Sequence, residues 1–159
     1  MSLTKLNNQS LSAVTSAGLP SGTVLQTVFA TTGSDVAQIS TASTTFVDGG
    51  LQVSITPTST SSKILLMFDG CAYASGGVYN LVTIYRGSTN LAGGNALNQK
   101  YTGGSTDGWI PIGISHVDSP ASTSEQTYKL MYRSFSGSTV YLHEHKVRET
   151  QLIAMEIAG

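Results

Sequence analysis

The stretch SSKILLMFDGCAYA, residues 61–74, sets five consecutive apolar side chains, Ile64, Leu65, Leu66, Met67 and Phe68, between a serine pair and Asp69-Gly70. An apolar run this short, bounded by turn-forming residues, fits a strand better than a helix. With apolar residues at odd and even positions alike, it predicts a central strand covered on both faces. Working outward from it, the period stays at two. In LQVSITP (51–57), Leu51, Val53 and Ile55 face one way and Gln52, Ser54 and Thr56 the other, and Pro57 ends the ladder. GGVYNLVTIYRG (76–87) follows the Ser75-Gly76-Gly77 turn and is rich in β-branched and aromatic residues, so the spacing predicts a hairpin with 61–74.

In WIPIGISHV (109–117), Ile110, Ile112 and Ile114 share a face, and Pro111, which cannot donate to a ladder, predicts a sheet edge or bulge. TYKLMYRSF (127–135), the turn SGS and TVYLHEH (139–145) predict a second hairpin. TQLIAMEIAG (150–159) alternates Ile153, Met155 and Ile157 against Leu152, Ala154, Glu156 and Ala158, which predicts a buried strand. TVLQTVFA (23–30) and TTFV (44–47) bring the total to eight or nine short strands, and no segment keeps an amphipathic helical pattern for three turns. With 17 glycines in the turns, the expected fold is all-β, an antiparallel β-sandwich of the jelly-roll kind over residues 22–159, preceded by an extended N-terminal arm over 1–21.

Only 11% of residues are charged and the net charge is −1, while Ser and Thr supply about a quarter of the chain. The eight Lys and Arg form no basic run, so a nucleic-acid partner is not expected. Residues 1–22 lack the basic and apolar regions of a secretory signal, and no segment is apolar enough to insert in a membrane. Cys71, the one cysteine, sits in an apolar strand as a small inert hydrophobe.

No hydrolase, zinc-protease or phosphate-loop motif is present, and the expectation is a protein that is not an enzyme and needs no cofactor. A hydrolytic site would have to be assembled from Asp69, Glu144 and the histidines. Asp69 and Glu156 lie inside apolar strands, where a carboxylate needs a partner such as Lys63, Arg86, Arg133 or Arg148, and a structural ion pair is expected. On a strand, His143 and His145 would point to one side; they are either hydrogen-bonded or solvated histidines, or, multiplied around an axis, ligands for a transition metal. Residues 86–108 are the longest stretch without a clear strand, rich in Gly, Asn, Ser and Thr, with Leu91, Asn95, Asn98 and Tyr101 as candidate receptor or glycan contacts.

Taken together, LTKLNNQSLSAVTSAGLPSGTVLQTV, SSKILLMFDGCAYA, YNLVTIYRGSTNLA, TYKLMYRS and the closing LIAMEIAG resemble the short fibre and decoration-type structural proteins of tailed phages, particularly marine and cyanobacterial ones. The resemblance implies a virion-surface protein made in the host cytoplasm, a homotrimer attached to other virion proteins by its arm. Leu3, Leu6 and Leu11 are the expected anchor residues. A second expectation is a tail-fibre head that binds a host receptor or surface glycan through residues 86–108.

Overall fold

The computed structural model describes residues 19–33, 37–74, 77–101, 108–143 and 149–159. Eleven strands are present among them: β1 (Val24–Thr31), β2 (Ile39–Thr41), β3 (Val47–Ile55), β4 (Lys63–Ala74), β5 (Tyr79–Arg86), β6 (Thr89–Asn90), β7 (Asn98–Tyr101), β8 (Gly108–Asp118), β9 (Gln126–Ser134), β10 (Val140–Leu142) and β11 (Gln151–Ile157). They form two antiparallel sheets. One runs β1-β11-β4, with β8 on the far edge of β4 and β10-β2 continuing beside its C-terminal end; the other runs β3-β9-β5, with β6 and β7 beside β5.

The pairing has one centre. Val24 meets Ile157, Val53 meets Tyr128, Phe68 meets Ile114 and Val82 meets Asn98, and every one of these pairs is symmetric about residue 90 or 91. The chain is therefore one long antiparallel hairpin, β1–β5 against β7–β11, whose ribbon crosses from sheet to sheet as it rolls up. That arrangement, with sheet orders β1-β11-β4-β8 and β3-β9-β5-β7, is the jelly roll expected from the sequence.

Several local expectations change within that frame. The 61–74 and 76–87 strands do not pair, because β4 and β5 lie in opposite sheets; the same holds for β9 and β10. A Gly- or Ser-rich turn shortens a connection, but in a jelly roll the connection crosses the sandwich. TTFV is not a strand of its own: Thr44, Thr45 and Phe46 precede β3, which begins at Val47 and runs on through Leu51–Ile55, with the ladder register shifting between Asp48 and Gln52. The bulge is built by Asp48-Gly49-Gly50, where Asp48 Oδ1 accepts from the Gly50 amide at 2.7 Å and Gly50 takes φ +76°. At Gly49 an added Cβ would lie 2.9 Å from the Leu130 carbonyl oxygen, so only glycine passes there.

β4 is central, as predicted, yet over Lys63–Asp69 only one of its faces is covered. Ile64, Leu66 and Phe68 are buried, whereas Met67 is 40% exposed. β11 is also interior to its sheet, with Leu152, Ala154 and Glu156 buried and the larger Ile153, Met155 and Ile157 turned to the outer face. β8 is an edge strand, which is what allows Pro111 opposite Cys71 without the loss of a ladder donor. Between the sheets, Leu51, Val53, Ile55, Ile84, Ile112, Leu130 and Tyr132 join the inward residues of β4 in one core. At the start of the described chain, the Gly22 amide donates to Ala158 O and the Ala158 amide to Thr23 O, each at 2.8 Å, tying this end to the end of β11. The anchor leucines Leu3, Leu6 and Leu11 lie outside the described residues.

Candidate functional site

The groups with chemical potential are found first among the buried polar side chains. Glu156 projects inward from β11 and is fully buried. Its Oε1 accepts from the Thr58 amide at 2.6 Å, from Thr58 Oγ1 at 2.7 Å and from Ser62 Oγ at 2.7 Å, while Oε2 accepts from Gln26 Nε2 at 2.6 Å. Burial pushes the carboxyl pKa up, but the donors outweigh it and hold the group below its ordinary 4.5. The expected ion pair is replaced by neutral donors. The loop between β3 and β4 supplies three of them, because Thr58 and Ser62 lie where the chain turns from one sheet to the other. Asp69 differs again: it points to the outer, exposed side of β4.

His143 follows β10 in a left-handed conformation (φ +63°), so β10 ends at Leu142; His145 and Glu144 lie outside the described residues. Its ring is buried, with Nε2 2.7 Å from Gly49 O and Nδ1 3.0 Å from Thr150 Oγ1. A carbonyl only accepts, so Nε2 carries the proton and Nδ1 accepts from the Thr150 hydroxyl. Thr150 Oγ1 then accepts from Thr32 Oγ1 at 3.0 Å, and Thr32 Oγ1 accepts from the Thr150 amide at 3.1 Å. Every proton has a place with the imidazole neutral. Burial lowers its pKa below 6.5, against the raising effect of the Gly49 carbonyl. Both ring nitrogens are taken by protein atoms, and among the described residues no three His, Cys, Asp or Glu side chains cluster as a metal site would require. The bulge at Gly49 and the turn at His143 thus complete each other.

Among the described residues, Arg86 and Asp118 form an ion pair that the sequence reading missed. Asp118, at the end of β8, accepts from Arg86 Nη1 at 2.9 and 2.7 Å and from Tyr128 Oη at 2.7 Å. Burial, then the Asp118 carboxylate, drives the Tyr128 pKa well above the usual phenol range. Burial alone pushes Tyr132 up to about 12. Asp118 looked like a turn residue because it follows a strand and precedes Ser-Pro. Only the β8–β5 neighbourhood, set by long-range pairing, reveals Arg86 and Tyr128 around it.

Of residues 86–108, the described part 86–101 forms the tip of the rolled hairpin and is not strandless, while 102–107 lie outside the described residues. The two-residue turn Gly87-Ser88, with Gly87 at φ +56°, returns the chain into β6, and β7 pairs with β5. Leu91 is partly buried, packed against the core. Asn98 Nδ2 donates to Gly113 O at 2.7 Å and links β7 to β8 across the sandwich edge. Asn95 and Asn98 border an open concavity of about 440 Å³ with Leu81, Gln99, Arg133 and Phe135. Tyr101, half exposed, stacks on Tyr79 at 4.6 Å between ring centroids, and Tyr79 meets Phe135 at 5.7 Å. Of the four candidate contacts, Asn95, Asn98 and Tyr101 lie on or beside this surface, and Leu91 packs partly against the core.

No protein-family model and no curated protein matches the sequence. Among solved structures, the chain is similar to a mutant VP2 protein of infectious bursal disease virus in derived T=1 particles, with 15% identity, a TM-score of 0.40 and coverage of 84% of this chain and 36% of that one. A crystal structure of the VP2 subviral particle of that virus gives 13% identity, a TM-score of 0.40 and coverage of 86% and 38%. The structure of its Gx strain gives 14%, 0.36, 86% and 39%. The chain spans less than two-fifths of the length of the chains it matches.

Proposed function

We propose that this chain is a non-enzymatic virion structural protein, a short homotrimeric fibre, spike or capsid-decoration protein whose N-terminal arm holds it on the particle surface. The observation that carries the reading is how the titratable groups are used. Glu156, His143 and Asp118 are each buried and hydrogen-bonded within the fold, Glu156 with no exposed surface at all. What faces outward is hydroxyl, amide, aromatic and apolar surface, suited to contact rather than chemistry. The resemblance of the sequence to tailed-phage fibre and decoration proteins supplies the setting. The experiment replaces Leu3, Leu6 and Leu11 together by Ser in the virus that encodes the chain. The expected outcome is a folded head that is missing from purified particles, read by quantitative mass spectrometry; wild-type incorporation contradicts the anchor.

A second reading, a host receptor or glycan-binding head, is favoured by the Tyr79–Tyr101–Phe135 cluster beside the amides of Asn95, Asn98 and Gln99. Aromatic faces next to side-chain amides suit sugar rings, which present C–H faces and hydroxyls together. Tyr101→Ala with Phe135→Ala is expected to weaken cell or glycan-array binding at least tenfold, and unchanged binding removes this reading.

A further inference from the structure

The outer face of the β1-β11-β4-β8 sheet carries two apolar rows, each spanning three of the four strands and completed by a hydroxyl residue, Ser115 on β8 beside Met67 and Thr27 on β1 beside Met155. The register sets Phe29 beside Ile153 and Ile153 beside Met67 in one row, and Met155 beside Leu65 and Leu65 beside Val117 in the next. Phe29 is 69% exposed, Val117 55% and Met67 40%. Beside Met67 and Ile153 the row opens into a concavity of about 320 Å³, where Gly113 on β8 offers no side chain. Among the described residues the charges on this face are Lys63 and Asp69, at opposite ends of the β4 segment that carries the patch. Between them lie only apolar and hydroxyl-bearing neighbours.

We infer that this face is the seam at which three copies of the chain meet around a threefold axis, an inference that rests on the homotrimer reading above and names its surface. Four strands at about 4.8 Å spacing and six residues at about 3.3 Å rise give a face roughly 19 Å wide and 20 Å long, about 400 Å² in projection. That lies within the ~300–600 Å² of the largest patches on monomers, which are often functional. Two copies stacked face to face would bury only this ~400 Å² each, about half of what a standard stable pair buries per partner. Three copies closed into a prism also bring the edge strands β1 and β8 against neighbours. Three faces ~19 Å wide place each sheet ~5.5 Å from the axis, close to half the ~10 Å at which sheets pack, so one side-chain layer from each copy fills the centre. Lys63 and Asp69 then sit at the two open ends of the prism, where water reaches them.

The test uses the full chain in size-exclusion chromatography with light scattering. Wild type is expected at the mass of three chains, and Phe29→Asp with Met67→Asp at the mass of one, with the far-UV circular dichroism of a folded sandwich. Val117→Lys, at the sheet edge, gives the same readout should the double variant not fold. Gln52→Asp, on the exposed side of β3 in the other sheet, stays at three. A wild-type mass of one chain, as when residues 1–18 of the same chain cover the face, or of two chains, overturns the inference. So does a trimer that survives the charges on Phe29, Met67 and Val117. Incorporation into particles is scored separately, so a monomer that still reaches the virion removes this seam and leaves the virion role standing.

Discussion

Glu156→Ala is expected to lower the unfolding free energy by about 4 kcal/mol, since it removes a charged acceptor and leaves its buried donors unpaired. For a domain of this size that is a fall in Tm of roughly 8–16 °C. The donors belong to Gln26 on β1 and to Thr58 and Ser62 in the β3–β4 loop, so the carboxylate ties β1 and this loop to β11. Glu156→Gln should fall between wild type and Ala. Its carbonyl oxygen still serves Thr58 and Ser62, but its amide faces Gln26 Nε2, which is already fixed by donating to Thr56 O at 2.7 Å.

The same residue sets the acid sensitivity. Its native pKa lies below the ordinary 4.5, so its contribution is full above 4.5 and is lost as pH falls through the native value. His143, neutral and with a lowered pKa, also favours the fold above 6.5 and opposes it as pH falls from there. Urea midpoints measured from pH 7.5 to 3.5 should therefore drop for wild type and drop less below pH 5 for Glu156→Gln. A Tm change under about 2 °C for Glu156→Ala would contradict this account.

The second large effect is expected at Asp118. Its replacement by Ala strands the Tyr128 hydroxyl in the core and removes the partner of Arg86, whose side chain is 27% exposed and can turn to water. A loss of about 3 kcal/mol follows, mostly from the orphaned phenol. Adding Tyr128→Phe to Asp118→Ala should recover about 1 kcal/mol, because a missing hydroxyl is less unfavourable than an unpaired one. Calorimetry on the two variants separates these contributions, and a double variant less stable than Asp118→Ala would contradict the assignment.

The strands themselves were legible in the sequence because period-two alternation is local. LQVSITP, WIPIGISHV and the end of the chain all read correctly as strands, and Pro111 marked an edge before any pairing was known. Partnership was not legible. Nothing in residues 61–87 says that β4 and β5 belong to opposite sheets, since that is fixed by β8, β9 and β11 arriving from far along the chain. The inward face of β11 was equally hidden. Ile153, Met155 and Ile157 are larger than Leu152, Ala154 and Glu156 taken together, yet they face out. The inner positions are shaped by Phe68 and by the donors around Glu156, which lie more than eighty residues away. The same surplus of apolar residues made β4 look covered on both sides; if copies of the chain meet on this face, both strands are buried as their sequences suggest.

At the candidate contacts, composition alone pointed to Asn95, Asn98 and Tyr101, while the partial burial of Leu91 comes from packing against the core, which no local pattern shows. His143 was read as a strand residue because VYLHEH alternates; the left-handed turn at His143 follows from the Gly49 carbonyl that the β3 bulge presents to it.

The proposed virion role is tested most directly by a reconstruction of particles purified from cells that express this chain. The account predicts three jelly rolls around an axis on the particle surface, joined through the β1-β11-β4-β8 faces, with residues 1–18 seated in a neighbouring virion protein. Purified particles that contain none of the chain would contradict it.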